Sequence, residues 1–170
     1  MILSDRDIKR MLRNNEIEIT PLEKDQIGPA SIDLTLGEEW YFFKKSIRGK
    51  VDLSKTGFEK AFDRKNAKTI TLKPGEMCLG KTIEKIKLPA HIMGKLEGRS
   101  RFARMGLIIH TTSALVQPGS NNRQVLEIVN LAPFPIVLHA GMRVSQVVLE
   151  LLKSPTTKPY AKFGEIAKNQ

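Results

Sequence analysis

GRSRFARMGLIIHTTSALVQPGSNNRQVLE, residues 98–127, holds the two features around which the chain is organised. Its first nine residues carry Arg99, Arg101 and Arg104, the hydroxyl of Ser100 and two glycines. Guanidinium groups and a hydroxyl on a glycine-bounded turn make an anion site by composition. About twenty residues on, Glu127 sits inside the apolar run Val125-Leu126-Glu127-Ile128-Val129. A carboxylate there is costly to bury without a partner or a task. A phosphate turn followed by a half-buried carboxylate points to a nucleotide enzyme. The stretch is punctuated by Gly106 and Pro118-Gly119, and similar breaks recur at Pro74-Gly75, Pro89, Pro133, Pro135 and Gly141. Short apolar runs between such turns predict a mainly β fold, a sandwich or barrel.

Composition narrows the partner. The formal charge of +10 comes from 28 Lys and Arg against 18 Asp and Glu, which favours something anionic. Nucleic acid, an acidic membrane face and a nucleoside triphosphate all qualify, but only 6% of residues are aromatic, too few for a base-stacking platform. The single cysteine, Cys78, excludes an internal disulfide and a cysteine-rich zinc site. No run approaches signal-peptide or membrane-span length, so the expectation is a cytoplasmic protein with neither membrane nor nucleic acid as partner. A chain of 170 residues fits one β domain over 1–152, with a basic, proline-containing C-terminal arm or lid over 153–170.

Taken in order, Ser4 with Asp7 three residues later predicts a helix N-cap and capping box, with Ile8, Met11 and Leu12 on one face as far as Asn14-Asn15. Ile17 and Ile19 then alternate with Glu16 and Glu18 as a strand. Ile32, Leu34 and Leu36 define one face of a second strand, and Asp33 and Thr35 the other. Residues 44–68 are charged and aperiodic and predict a surface excursion with a helical turn at 58–62.

Gly75-Glu76-Met77-Cys78-Leu79-Gly80-Lys81-Thr82 matches the P-loop pattern at every position. That pattern needs a strand before it and a helix after it. Pro74 precedes it, and the next six residues reach Pro89 in a pattern (Ile83, Ile86, Leu88) that suits a strand. A strand-turn-strand coincidence is the expected outcome.

The GRS-x-x-AR-x-G turn at 98–106 resembles that of the dCTP deaminase branch of the dCTP deaminase and dUTPase superfamily. Ile2-Leu3-Ser4-Asp5, Pro29-Ala30-Ser31-Ile32-Asp33-Leu34, His110-Thr111-Thr112, Pro118-Gly119, Leu126-Glu127-Ile128, Ala140-Gly141-Met142-Arg143 and Gln146 follow the same order and spacing. The resemblance implies a distorted jelly-roll, a β-clip dUTPase-like barrel with a short N-terminal helix. It also implies a homotrimer with active sites shared between subunits, dCTP as substrate, and Mg²⁺ carried on the triphosphate. Arg99, Ser100, Arg101, Phe102, Ala103 and Arg104 would cradle the phosphates, with Ser100 and Arg104 also near the attacking water. Glu127 would shuttle protons beside the base, flanked by Val125 and Leu126. The backbone at Ser113 would hold the water, and Gln117, Gln146 and Tyr160 would contact sugar, base or phosphate. His110 is read as a packed or interface residue.

The chemistry agrees with that picture. Deamination at C4 of cytosine needs a water deprotonated, N3 protonated and ammonia released, and one carboxylate can relay those protons. Zinc deaminases build a metal site from H-x-E and P-C-x-x-C ligands, which one cysteine cannot supply, so no zinc is expected. The plain alternative for Glu127 is a buried ion pair with Arg104 or Arg123. Three departures stand out. Gln117 replaces the aspartate of the usual Ile-Asp-Pro-Gly, implicated in relatives in attack on the α-phosphate; Arg101 stands where serine is common; and Lys158-Pro159-Tyr160 opens a lid segment that matches only in part. The expected activity is dCTP deamination to dUTP and ammonia for dTMP supply. A dUTPase or bifunctional dUMP-forming enzyme is the alternative, and a non-catalytic basic nucleotide-binding domain a further one.

Overall fold

The computed structural model describes residues 1–109 and 112–162, the side chains of 58 and 59 excepted. In chain order the elements are α1 (Asp5–Arg13), β1 (Glu18–Thr20), β2 (Ile32–Phe43), α2 (Phe58–Ala61), β3 (Phe62–Asn66), β4 (Thr69–Leu72), β5 (Met77–Lys87), β6 (Ile92–Gly98), α3 (Ser100–Ala103), β7 (Leu107–Ile109), β8 (Leu115–Val116), β9 (Asn121–Asn130), β10 (Ile136–His139) and β11 (Arg143–Leu151). Short 3₁₀ turns lie at Lys24–Gln26 and Tyr160–Lys162.

The strands form one curled sheet in the order β7-β9-β5-β2-β11-β6-β8, with β1 added to β5 and β3 to β2, while β10 and β4 pair separately. All these pairings are antiparallel. The long strand β2 joins the two halves of the sheet. Residues 32–35 pair with β11 and residues 36–42 with β5; the register shifts between Arg143 and Ser145 in the first pairing and between Leu36 and Trp40 in the second. The alternation of Ile32, Leu34 and Leu36 places all three fully inside. Trp40 joins them with no exposure, its indole N–H donating to the Ala67 carbonyl at 2.9 Å. Ile8 and Met11 of α1 pack on the same core. The capping box forms as expected: the Asp7 N–H donates to Ser4 Oγ, and the Ser4 N–H to the Asp7 carboxylate. Such a cap stabilises a helix by about 1 kcal/mol. Residues 1–3 run beside β11, with Leu3 N–H donating to Leu149 O and Leu151 N–H to Met1 O, both at 2.9 Å.

Two local expectations are corrected. The excursion at 44–68 contains a strand, β3, in register with β2 from Phe43↔Phe62 to Glu39↔Asn66. It is an edge strand with four of its five residues exposed, so no alternating apolar pattern marks it. On β5 the inward residues are Cys78, Gly80, Thr82, Glu84 and Ile86, so Ile83 faces out and Glu84 is fully buried. Thr35, on the face opposite Leu34, is buried as well. The P-loop look-alike is, as expected, a turn running into a strand. Gly75 holds φ +76° in the turn, and Gly80 is small because a Cβ there would lie 2.9 Å from Ile128 Cδ1 and 3.2 Å from Trp40 Cζ3. Lys81 faces Glu39 at 3.6 Å.

Candidate active site

The arginine-rich turn is one helical turn, α3, between β6 and β7. Arg99 precedes it with extended backbone, and the N–H groups of Phe102 and Ala103 donate to the Arg99 carbonyl. Gly106, at φ +84°, ends the turn against Ala132, whose N a Cβ would approach to 2.7 Å. Such a conformation and approach admit only glycine. The half-buried Phe102 packs on the core and anchors the turn, with the Arg101 guanidinium 5.7 Å above its ring. Ser100, Arg101, Ala103 and Arg104 are exposed.

Arg99 is held in place. Its Nη1 lies 3.1 Å from Asp33 Oδ2 and donates to the Arg143 carbonyl at 3.0 Å. Both contacts use one nitrogen, which leaves Nη2 and Nε to grip an anion in the fork geometry that suits phosphate. Burial raises the Asp33 carboxyl above the usual aspartate range, opposed by Arg99 and then Arg143. The Arg143 guanidinium is itself clamped by Glu23 and Asp25. Gln146 pairs in register with Asp33 and with Glu97, and its Oε1 accepts from Ser31 Oγ at 2.7 Å.

Glu127 lies on β9, opposite Leu79 of β5. Its side is the half-buried one, shared with Val125 and Val129, while Leu126 and Ile128 point into the core. Leu126 can therefore face a ligand only through its backbone. Thr112 Oγ1 donates to Glu127 Oε2 at 2.7 Å. Gln117 is exposed; its carbonyl accepts from both the N–H and the hydroxyl of Ser120 in the turn before β9. Ser113 is exposed next to Thr112. Tyr160 reaches the same turn: its N–H donates to Pro118 O at 2.9 Å, and the Ala161 N–H to Gly119 O at 3.3 Å. His110 lies outside the described residues.

The predicted residues thus fall into groups. Arg99 and Gln146 gather around Asp33; Gln117 and Tyr160 meet at the 117–120 turn; Glu127 stands with Thr112 on the other half of the sheet. Asp33, Arg143, Ser31 and Thr112 were quoted only as parts of a pattern, and their contacts come from residues far apart in the chain. Among the described residues no group of three or more His, Cys, Asp or Glu is placed to hold a metal. Cys78 is buried in β5, which pushes its thiol up to about 12, so it does not suit a metal thiolate. No helix among the described residues is long and apolar enough to cross a membrane.

The fold is a jelly-roll-like curled sheet that carries an arginine turn after β6 and a half-buried glutamate on β9. The sequence profile of the dCTP deaminase-like family matches residues 2–152, and the chain belongs to that family. It is 39% identical over 171 aligned residues to a dCTP deaminase of Rhodospirillum rubrum, covering 95% of this chain and 88% of that one. It is 38% identical to a dUMP-forming dCTP deaminase of Dictyoglomus thermophilum, covering 95% and 86%. Among solved structures, the dCTP deaminase of Agrobacterium tumefaciens superposes with a TM-score of 0.69 at 24% identity. That match covers 88% of this chain and 48% of the other, so the chain spans about half its length. A mutant of the dUTPase of Staphylococcus bacteriophage 80alpha gives 0.54 at 17% identity, covering 88% and 99%. The fold is therefore the mainly β, dUTPase-like one, with a short N-terminal helix.

Proposed function

We propose that the chain deaminates dCTP, taking water and releasing dUTP and ammonia, a step that feeds dTMP supply in the cytoplasm. The observation that carries this is Glu127, a half-buried carboxylate oriented by the Thr112 hydroxyl, in a chain of this family. In the proposed reaction Glu127 takes a proton from water as it attacks C4 and delivers it to N3, then takes the proton of the new C4 hydroxyl and passes it to the amine, which leaves as ammonia while the C4 carbonyl forms. Ser100, Arg104 and the backbone at Ser113 hold the water and support Glu127. Arg99 grips the triphosphate through the guanidinium edge turned away from Asp33 and Arg143, with Arg101 adding charge beside it. The backbone of Val125 and Leu126, with Gln146, borders the base; Gln117 faces the sugar, and Tyr160 contacts the substrate from the C-terminal arm or lid over 153–170, of which 163–170 lie outside the described residues. Magnesium enters on the phosphate oxygens and needs no carboxylate cage from this chain. The proposal includes a homotrimer whose sites are completed between subunits, as the family resemblance implies.

A second reading, a dUMP-forming enzyme, is favoured by the name of the Dictyoglomus relative. Gln117 speaks against it, because a neutral amide cannot act as the base for water at the α-phosphate. Incubation with dCTP and Mg²⁺ followed by product resolution decides. Ammonia with dUTP supports the first reading, and ammonia with dUMP and pyrophosphate supports the second. Binding without turnover by folded protein would leave a non-catalytic nucleotide-binding domain.

A further inference from the structure

Glu84 is fully buried in β5, and the roles assigned above do not use it. A valine or isoleucine would suit its inward position on the strand. An ionised carboxylate there costs several kcal/mol unless its oxygens are satisfied. Among the described residues Glu84 forms no ion pair. Its Oε1 accepts from Gln26 Nε2 at 2.7 Å and its Oε2 from the Thr35 N–H at 2.9 Å. The Thr35 amide lies near the point where β2 leaves β11 for β5. Gln26 in turn donates to the Asp33 carbonyl at 2.8 Å, and its Oε1 accepts from the Glu23 N–H at 2.7 Å. The pair therefore fixes two things. One is the bend of β2 that carries Asp33. The other is the 23–26 turn, whose Glu23 and Asp25 clamp Arg143. Asp33 Oδ2 and the Arg143 carbonyl are the two groups that hold Arg99 Nη1.

We propose that Glu84, acting through Gln26 and the Thr35 amide, is a positioning residue for the Arg99 guanidinium and so sets the affinity for the substrate's triphosphate. The inference rests on the reading that Arg99 takes phosphate, and a double-mutant cycle separates the two. The variants Glu84→Gln, Arg99→Ala and the double mutant are titrated with inorganic tripolyphosphate by calorimetry, and KM and kcat for dCTP are measured alongside. Glu84→Gln keeps the volume but turns an amide N–H₂ towards a donor, so the hub loosens. The expected result is a roughly 10-fold loss of tripolyphosphate affinity in the wild-type background and under about 2-fold in the Arg99→Ala background, within the usual range of coupling between linked residues. KM should rise in parallel with kcat little changed. An equal loss in both backgrounds, or none in either, overturns the positioning role. If Arg99→Ala binds tripolyphosphate as tightly as wild type, the phosphate reading itself falls. Should Glu84→Gln fail to fold, Gln26→Met runs through the same cycle with the same outcomes.

Discussion

Gly119 can be tested through a single methyl group. It holds φ +81°, and a Cβ there would lie 2.6 Å from Pro159 Cβ, 2.9 Å from Pro159 Cα and 3.0 Å from Tyr160 N. Ordinary carbon contacts are about 3.5–4.0 Å, so the Gly119→Ala side chain and the 159–161 segment cannot share this space. The neighbours are largely backbone, and the segment must lift by about 1 Å, forfeiting the bonds from Tyr160 N–H to Pro118 O and from Ala161 N–H to Gly119 O. At a net value of about 1 kcal/mol each, the loss is about 2 kcal/mol. That corresponds to roughly 30-fold faster amide exchange at Tyr160 and Ala161. The left-handed backbone adds about 1–2 kcal/mol of strain, felt by the whole fold. Gly75→Ala isolates the strain, since Gly75 holds φ +76° with nothing within 4 Å of its Cβ position. Both variants should lower Tm by several degrees, about 2–4 °C per kcal/mol for a chain of this size. Only Gly119→Ala should accelerate exchange at 160 and 161. Equal exchange in the two variants would refute the steric argument.

Other outcomes follow from the same geometry. Glu127→Gln should lower kcat for ammonia release by about 10³-fold, within the range for loss of a general acid-base, while calorimetry shows dCTP still bound; retained turnover would remove Glu127 from its role. Asn130 is fully buried, donating to Leu72 O and Phe134 O and accepting from the Ala132 N–H at 2.8 Å. Asn130→Leu strands those groups and should cost about 3 kcal/mol in urea unfolding; a loss under about 1 kcal/mol would contradict the network. Burial pushes the Cys78 thiol up to about 12 from 9.0, and burial followed by the Glu39 hydrogen bond pushes the Tyr41 hydroxyl up to about 12 from 10.0. In both cases the native state keeps a proton that the unfolded state loses. Their contribution to stability is therefore full below about pH 9 and falls away towards pH 12. Cys78→Ala should flatten the early part of that decline in a series of melts, and native Cys78 should react with a thiol reagent only after unfolding.

What was legible beforehand followed the range of the forces involved. The Ser4 and Asp7 cap is local, and so is the alternation of Ile32, Leu34 and Leu36, so both could be seen in a short window. The P-loop look-alike was rejected for a local reason too, Pro89 arriving too soon for a helix. Strand β3 was hidden because Phe62-Asp63-Arg64-Lys65-Asn66 carries no apolar alternation and owes its conformation to pairing with β2. Glu84 was hidden because hydrophobicity favoured Ile83 as the inward residue. Only the continuation of the register from Cys78 and Gly80 turns the carboxylate inside. For the candidate site, the arginine turn and Glu127 were visible by composition. The hold of Asp33 on Arg99 was not, since 66 residues separate them and only β2, β11 and β6 lying side by side bring them together.

The position of β11 also bears on how the chain reaches this state. It lies between β2 and β6, and Leu3 waits for the carbonyl of Leu149. Early-synthesised strands are thus joined only by one of the last. Contacts so distant in sequence form slowly, because loop closure must be paid before they return anything. During synthesis β2 and β6 would each present an open edge, the kind of surface that invites mispairing and chaperone capture. Nascent chains stalled at increasing lengths should remain protease-sensitive until β11 has cleared the ribosome, and protection before that point would show that the halves of the sheet close independently.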